Sequence, residues 1–202
     1  MNSEMIIAFI GSSILLTLMP GPDNTYVLLE SVTGGVRRGI AFASGLVTGI
    51  IFHTILVATG VAYLISHSDI AYNSIKYFGA AYLLYLAYLA YRETKPDLSE
   101  ADKKTKYSKL YLKGLVMNIS NPKVLLFFIA YLPQFITKDG MEIKYQIFIL
   151  GVIFLVQAYI IMSSIAILSG KLKAFIKNEN FWKYVKYIKI VVLFALAVFI
   201  IL

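Results

Sequence analysis

The chain has 202 residues, 59% of them apolar, and a mean hydropathy of +0.75, whereas soluble domains average about 45–50% apolar. This composition excludes an ordinary soluble domain and indicates an all-α integral membrane protein, since lipid offers backbone groups no hydrogen-bond partners. The lack of cysteine excludes disulfides, thiol redox chemistry and thiolate metal sites. Membrane topology, rather than nucleic-acid binding, explains the net charge of +8.

Six apolar segments are long enough to cross a bilayer, which takes about 20 helical residues. Taken along the chain, the predicted spans cover residues 5–32, 38–65, 72–91, 110–136, 144–168 and 184–202. The sequence lacks the short alternating strands that would indicate a barrel. We therefore predict a single membrane domain over residues 1–202, held in the bilayer by six helices.

Lysine and arginine are concentrated in alternate connections between the spans. The connections after spans one, three and five, with the start of span six, carry Arg37, Arg38, Arg92, Lys95, Lys103, Lys104, Lys106, Lys109, Lys113, Lys171, Lys173, Lys177, Lys183, Lys186 and Lys189. The opposite side carries only Lys76, Lys138 and Lys144. By the positive-inside rule the first group is cytoplasmic. We therefore expect a multi-pass cell-membrane protein whose N- and C-termini both lie outside.

The longest polar connection divides the spans into two sets of three. It covers residues 92–112, is interpreted as a cytoplasmic linker, and separates a first repeat (1–91) from a second (113–202). Two related halves with an odd number of spans have opposite orientations, which is the inverted-repeat arrangement of many secondary transporters. Each half has a break in its first span: Gly21-Pro22-Asp23, hereafter the first break, and Asn121-Pro122-Lys123, hereafter the second break. The matching positions favour a 3+3 inverted repeat.

Each break is expected to start a new half-helix inside the membrane. Proline removes a backbone donor and interrupts a helix. It also suits the first position of a new helix, after an N-cap residue such as Asn121 or Gly21. Helix N-termini present free amides and the positive end of the dipole, which together bind anions. Spans one and four are thus predicted to be broken, at Gly21-Pro22 and Asn121-Pro122.

Asp23 and Lys123 place one charge of each sign at these breaks. At about 1.5 Å per residue, Lys123 lies about 15 Å from Lys113, and Asp23 lies at most about 21 Å from Arg37. Both charges are then near the middle of a core about 30 Å thick, where charges are costly and indicate function. A purely structural role is also compatible with each charge, since Asp23 can cap its half-helix and Lys123 can snorkel toward the cytoplasm.

We predict a midplane site built on the two breaks. Lys123 and the half-helix amides would receive a carboxylate, and Asp23 would receive an ammonium or a proton, so a zwitterionic amino acid fits the pair. Weaker candidates for substrate binding or coupling are Asn24, Asn118, Gln157 and His53. Each of them can equally bond a neighbouring helix, and a packed histidine is as compatible with the pattern as a proton relay.

Small residues recur on span two at Ala41, Gly45 and Gly49. A spacing of four residues puts them on one helix face, and we interpret this face as a close helix–helix contact. The tyrosines of "AYLLYLAYLAY" (81–91) are interpreted as packing residues and interfacial anchors.

Four stretches together resemble the LysE/RhtB family of bacterial amino-acid exporters. They are "PGPDNTYVL" (20–28), "GGVRRGIAFASGLVTGIIFHTILVATGVAYLI" (34–65), "FGAAYLLYLAY" (78–88) and "GLVMNISNPKVLLFFIAYLPQF" (114–135). The resemblance covers residues 5–136 well and the last two spans only in hydropathy. The Pro-Gly-Pro-Asp element of the family corresponds to residues 20–23, its Asn-Pro-Lys element to 121–123, and its Pro-Gln-Phe element to 133–135.

The resemblance implies a small exporter that moves amino acids or related metabolites out of the bacterial cytoplasm in exchange for protons. Members carry homoserine, threonine, leucine or basic amino acids. Neutral amino acids or close derivatives are the expected substrates here, protons and the lipid bilayer are further partners, and a homodimer is also considered.

Other function classes fit the sequence less well. An enzyme is disfavoured because zinc-helix, nucleophile-elbow and Walker motifs are lacking. No cofactor, metal or nucleic acid is expected. The alternative function is export of a metal cation or another small metabolite by the same superfamily.

Overall fold

The computed structural model describes residues 3–19, 21–63, 68–92, 105–137, 140–171 and 178–201, and within these ranges all regular structure is helical. The α-helices are α1 (Ser3–Leu18), α2 (Pro22–Gly34), α3 (Val36–Leu56), α4 (Asp69–Arg92), α5 (Tyr107–Ile119), α6 (Pro122–Leu126), α7 (Ile143–Ile167) and α8 (Glu179–Ile201). A π-helical turn, Val57–Val61, continues α3, and a second one, Phe127–Tyr131, continues α6 and leads into a 3-10 turn, Leu132–Phe135. The predicted all-α class is confirmed.

Length and hydropathy identify three described helices that can cross a membrane: Val36–Gly60, Ile143–Ile167 and Asn180–Ile201. Two bent pairs qualify as broken spans. Ser3–Leu18 and Pro22–Gly34 meet at 57°, and Tyr107–Ile119 meets Pro122–Phe135 at 49°. The described part of the chain thus contains three to five candidate spans, and this multi-pass pattern confirms a membrane protein.

The third predicted span, residues 72–91, forms α4 but is not among these candidates. Its many tyrosines lower the mean hydropathy of the helix below that of α3, α7 and α8. Most of the predicted linker, residues 93–104, lies outside the described residues.

The small residues of α3 allow close contact with α5, as expected. A Cβ atom added at Gly45 would overlap the backbone of Tyr111, and one added at Gly114 would overlap that of Phe42. A Cβ at Gly49 would overlap the Asn118 side chain. Helix α3 also packs against α2 and α7, while α4 packs along α8.

Two buried clusters fill the interior. The larger one, the aromatic cluster, is centred on Phe9, Phe127, Tyr131, Phe135 and Phe154. Its rings pack closely: the Phe127 centroid lies 5.0 Å from that of Tyr131 and 5.2 Å from that of Phe154. The small cluster contains Val27, Phe42, Ala43, Leu46, Leu110, Met162 and Ala166.

A buried ion pair joins the ends of α2 and α3. Nη2 of Arg38 lies 2.8 Å from Oε2 of Glu30, and both side chains are buried. Arg38 also donates through Nη1 to the carbonyl oxygen of Thr105, at 2.8 Å. The pair therefore links the α2–α3 hairpin to the segment that leads into α5.

Candidate functional site

The two breaks, about a hundred residues apart in sequence, meet in space through Asn121. Its Nδ2 donates to both carboxylate oxygens of Asp23, at 3.2 and 3.3 Å. Its Oδ1 accepts from the backbone amide of Lys123 at 3.0 Å and so caps α6. The orientation of the amide follows from chemistry, because a carboxylate only accepts and a backbone N–H only donates.

Asn24 holds the first break together. Its Nδ2 donates to the carbonyl oxygens of Thr17, at 2.8 Å, and Met19, at 3.2 Å. These carbonyls belong to the end of α1, where a broken helix leaves acceptors without intrahelical partners. Asn24 is itself buried. It therefore caps α1 and joins it to α2, a bond between neighbouring helices.

Helix α2 begins without a capping side chain, because its N-cap residue is Gly21 and Pro22 follows at the first helical position. Gly21 adopts an extended conformation, with φ −148° and ψ −174°. Asp23 lies in the first turn of α2, where its negative charge complements the positive end of the helix dipole. Gly21, at the start of this turn, lies next to the ammonium of Lys123.

Lys123 extends from the second break toward the first. A Cβ atom placed on Gly21 would lie 3.8 Å from Nζ of Lys123, and the ammonium interacts electrostatically with the carboxylate of Asp23. Lys123 is half-buried. The two charges therefore lie near each other, where the two breaks meet.

The two breaks line a cavity whose volume, including the open space at its mouth, is about 580 Å³. Of the predicted site residues, Gly21, Pro22, Asp23, Asn24, Asn118, Asn121 and Lys123 line it. Asp23 and Lys123 are the ionisable residues of this lining. The cavity lies between the aromatic cluster and the small cluster, to which several of its apolar residues belong.

An apolar wall, which the sequence alone does not predict, completes the cavity. Helix α7 contributes Phe154, Ala158 and Met162, and α3 contributes Leu46, Val47 and Ile50. On α7 the spacing of four residues is a helical-face signal, but in a uniformly apolar helix it does not distinguish a cavity wall from a lipid-facing surface. The apolar wall also includes Leu16 of α1, Met19 just after α1, and Val124 and Phe127 after the second break. Thr17 of α1 lines the cavity beside them.

His53 lies beside the cavity lining rather than in it. It is fully buried on α3, and its Nε2 lies 3.1 Å from the backbone oxygen of Asn118. Its ring packs near Phe128, with centroids 5.9 Å apart. Nδ1 of His53 and Oδ1 of Asn118 are buried without hydrogen-bond partners among the described residues.

Gln157 and Pro122 are also placed next to the lining. Nε2 of Gln157 donates to Oγ1 of Thr17 at 2.9 Å, so this glutamine bonds a neighbouring helix. Pro122 is exposed at the first position of α6.

Three polar contacts thus connect the two halves at the level of the cavity: Asn121 with Asp23, His53 with Asn118, and Gln157 with Thr17.

This arrangement can receive a small molecule that carries both charges. A carboxylate fits Lys123 and the amides of α2, and an ammonium fits Asp23. Within the described residues, no group of three or more histidine, aspartate or glutamate side chains comes together as a metal site.

Bent helices around a charged cavity are typical of membrane transporters. The family model described as "LysE type translocator" matches residues 14–202, so the chain belongs to the LysE translocator family, whose members are transporters and not enzymes. The family resemblance carried by the four stretches is confirmed, and the family match extends over the last two predicted spans as well.

Relatives of similar length support the same membership. A homoserine/homoserine lactone efflux protein of Salmonella typhimurium (strain LT2) is 33% identical over 181 residues, covering 89% of this chain and 87% of the relative. Its counterpart in Salmonella typhi is 34% identical over the same shares. An uncharacterized membrane protein of Bacillus subtilis (strain 168), YrhP, is 28% identical, with 88% and 89% covered. No solved structure matches the chain.

Proposed function

We propose that the chain exports neutral amino acids, or close derivatives of them, from the bacterial cytoplasm in exchange for protons. The observation that carries the proposal is the cavity in which one carboxylate and one ammonium, from opposite breaks, lie together. A charged pair in the interior of a membrane protein is expensive. A zwitterion that neutralises both charges on binding accounts for its presence.

In this proposal each break binds one end of the substrate. The substrate ammonium approaches Asp23, whose oxygens also accept from Asn121. The substrate carboxylate approaches Lys123 and the first amides of α2. No side chain caps these amides, because the N-cap residue is Gly21. Helix N-termini and a lysine together favour an anion at this position.

A neutral side chain fits the rest of the cavity. Asp23 is the carboxylate of the lining and is used by the α-ammonium, while Leu46, Ile50 and Phe154 form an apolar wall. A second positive charge, as in a basic amino acid, would have no counter-ion within the described lining. The Salmonella relatives are named for homoserine and its lactone, both of which lack a charged side chain.

Exchange with protons follows from competition for Asp23. The carboxylate can bind either the substrate ammonium or a proton, and the one displaces the other. Release of the substrate outside would then be coupled to proton uptake, and release of the proton inside would restore the site. This scheme needs no ATP and uses the groups that line the cavity.

The architecture proposed for this cycle is the six-span 3+3 inverted repeat in the cytoplasmic membrane, with both termini outside. The two bent helix pairs support it, because each half then begins with one broken span. In transporters of this arrangement, access alternates as one half moves against the other around a fixed site.

The test compares homoserine with homoserine lactone in bacteria loaded with either compound, the amino acid being delivered as a dipeptide. The lactone keeps the ammonium but lacks the free carboxylate. We expect Lys123→Met to lower homoserine efflux about ten- to hundredfold, the usual worth of a charged hydrogen bond, and to affect the lactone much less. Asp23→Asn should lower efflux of both, and an uncoupler should do the same to the wild type.

Lys109→Met and Glu142→Gln remove exposed charges outside the cavity lining and serve as controls. Lactone efflux by Lys123→Met shows that this variant is folded. Unchanged homoserine efflux by Lys123→Met would overturn the charge pair as the substrate site. Efflux insensitive to the uncoupler would overturn proton exchange alone.

A further inference from the structure

We propose that Thr17, positioned by Gln157, selects substrates whose side chain ends in a hydrogen-bond donor over apolar side chains of the same shape. This inference rests on the proposed function, because it assigns a specificity-determining residue to the same cavity. It gives a role to a residue of α1 that carries no charge and lies outside both breaks.

Thr17 is fixed at three points. Its Oγ1 donates to the carbonyl oxygen of Ser13 at 2.8 Å and accepts from Nε2 of Gln157 at 2.9 Å. Its backbone oxygen accepts from Asn24 at 2.8 Å. The side chain is therefore held rigidly where it lines the cavity.

The hydrogen bonds that the Thr17 hydroxyl already makes determine which further bond it can form. A hydroxyl has one hydrogen and two lone pairs. Ser13 uses the hydrogen and Gln157 uses one lone pair, so the remaining capacity is an acceptor. Thr17 can thus accept from a bound molecule but cannot donate to it.

Gln157 provides a second acceptor, next to the cavity lining. Its Oε1 is buried and has no hydrogen-bond partner in the described part of the chain. The residue lies on α7 between Phe154 and Ala158, both of which line the cavity. Buried polar groups in native proteins nearly always have partners, and no described residue donates to this oxygen, so it is available to a donor on a bound molecule.

The acceptor oxygens of Thr17 and Gln157 discriminate against a substrate that has no donor for them. A substrate with a hydroxyl or a primary amide at the end of its side chain provides that donor. An apolar isostere leaves the acceptors buried and unpaired, which is the situation in which polar sites discriminate strongly. In this proposal Phe154 and Ala158 contact the rest of the substrate side chain. These contacts are the same for two substrates of the same shape, so shape alone separates them poorly.

The experiment uses homoserine and norvaline, which differ by a terminal hydroxyl against a methyl group. Each is tested as an efflux substrate and as a competitor of labelled homoserine, in wild type, Thr17→Val and Thr17→Ser. We expect the wild type to prefer homoserine. Thr17→Val should reduce the homoserine-to-norvaline efflux ratio about three- to tenfold, the effect of one neutral hydrogen bond, while Thr17→Ser should retain it.

The homoserine-to-norvaline efflux ratio does not depend on how much protein reaches the membrane. A loss of folded protein alone would therefore leave this ratio unchanged. Gln157→Leu should lower the same ratio through Thr17. An unchanged ratio in Thr17→Val, with both compounds still exported, would overturn the inference and leave the proposed function intact. Equal competition by norvaline in the wild type would overturn it without any variant. Absence of export of either compound would overturn the proposed function itself.

Discussion

The two breaks occupy matching positions in the chain, yet they are built differently. The first break leads into α2, a helix of 13 residues whose N-cap is Gly21. The second leads into α6, a helix of five residues capped by Asn121 and continued by π-helical and 3-10 turns. The first break therefore leaves the amides of a long helix uncovered by a capping side chain, while the second covers its own.

Because of this difference, the two breaks contribute different groups to the site. The first break offers a helix N-terminus and the carboxylate of Asp23. The second break reaches across with two side chains, since Asn121 donates to Asp23 and Lys123 approaches Gly21. The two breaks share a proline followed by a charge, yet the first provides a helix N-terminus and a carboxylate while the second provides the side chains that approach them. This asymmetry can be tested one break at a time.

The largest effect is expected at Asn121, whose two functions can be separated. Asn121→Asp keeps an oxygen to cap α6, since Asp and Asn are equivalent N-caps, but it replaces the donor to Asp23 by a second carboxylate. Loss of a hydrogen bond to a charged group should lower homoserine efflux about ten- to hundredfold. The cap of α6 is kept, but two carboxylates this close repel each other, so the thermal unfolding temperature in detergent should also fall.

Asn121→Ala provides the contrast, because it removes the cap as well and should cost about 1 kcal/mol of stability. Wild-type efflux by Asn121→Asp would show that the contact between Asn121 and Asp23 does not contribute to transport. The two breaks would then be adjacent without being coupled.

A smaller effect is expected where the second break rests on α3. A Cβ atom added at Gly49 would overlap the Asn118 side chain, which lines the cavity just before this break. Gly49→Ala should therefore destabilise the protein by about 1–3 kcal/mol, as overpacking does, visible as a lower unfolding temperature in detergent.

Gly11→Ala is the matched control for Gly49→Ala. A Cβ atom at Gly11, within α1, meets nothing within 4 Å, so the change should leave stability unchanged or raise it by roughly 0.5–1 kcal/mol. Equal stability of Gly49→Ala and Gly11→Ala would show that α3 does not support the second break.

Local chemistry explains what the sequence could predict. Proline after a capping residue, with a charge at the next position, is a property of neighbouring residues, and this signal predicts the positions of both breaks. The contacts of Asn121 and Thr17 depend on which helices meet, and neither spacing nor residue type contains that information. The π-helical turn at Phe127–Tyr131 was likewise unpredicted, because an aromatic run fits an α-helix equally well.

The smallest effect is expected for Gly21→Ser, a substitution that gives the first break a capping side chain like that of the second. In Gly21→Ser the extended backbone already suits an N-cap, and the new Cβ would lie 3.8 Å from Nζ of Lys123, without overlap. The added hydroxyl would accept from the first amides of α2 and stabilise the helix by about a few tenths of a kcal/mol. The same amides are those proposed for the substrate carboxylate, so homoserine efflux should fall about two- to tenfold.

The lactone separates competition for the amides from simple crowding. It has no carboxylate to place at α2, so its efflux by Gly21→Ser should equal that by Gly21→Ala, which adds the same Cβ without a cap. A variant that is slightly more stable yet exports the amino acid less well would mean that the uncapped helix is kept for binding. Equal losses for acid and lactone would instead assign the carboxylate to Lys123 alone, and the open N-terminus of α2 would be a consequence of the bend and not part of the site.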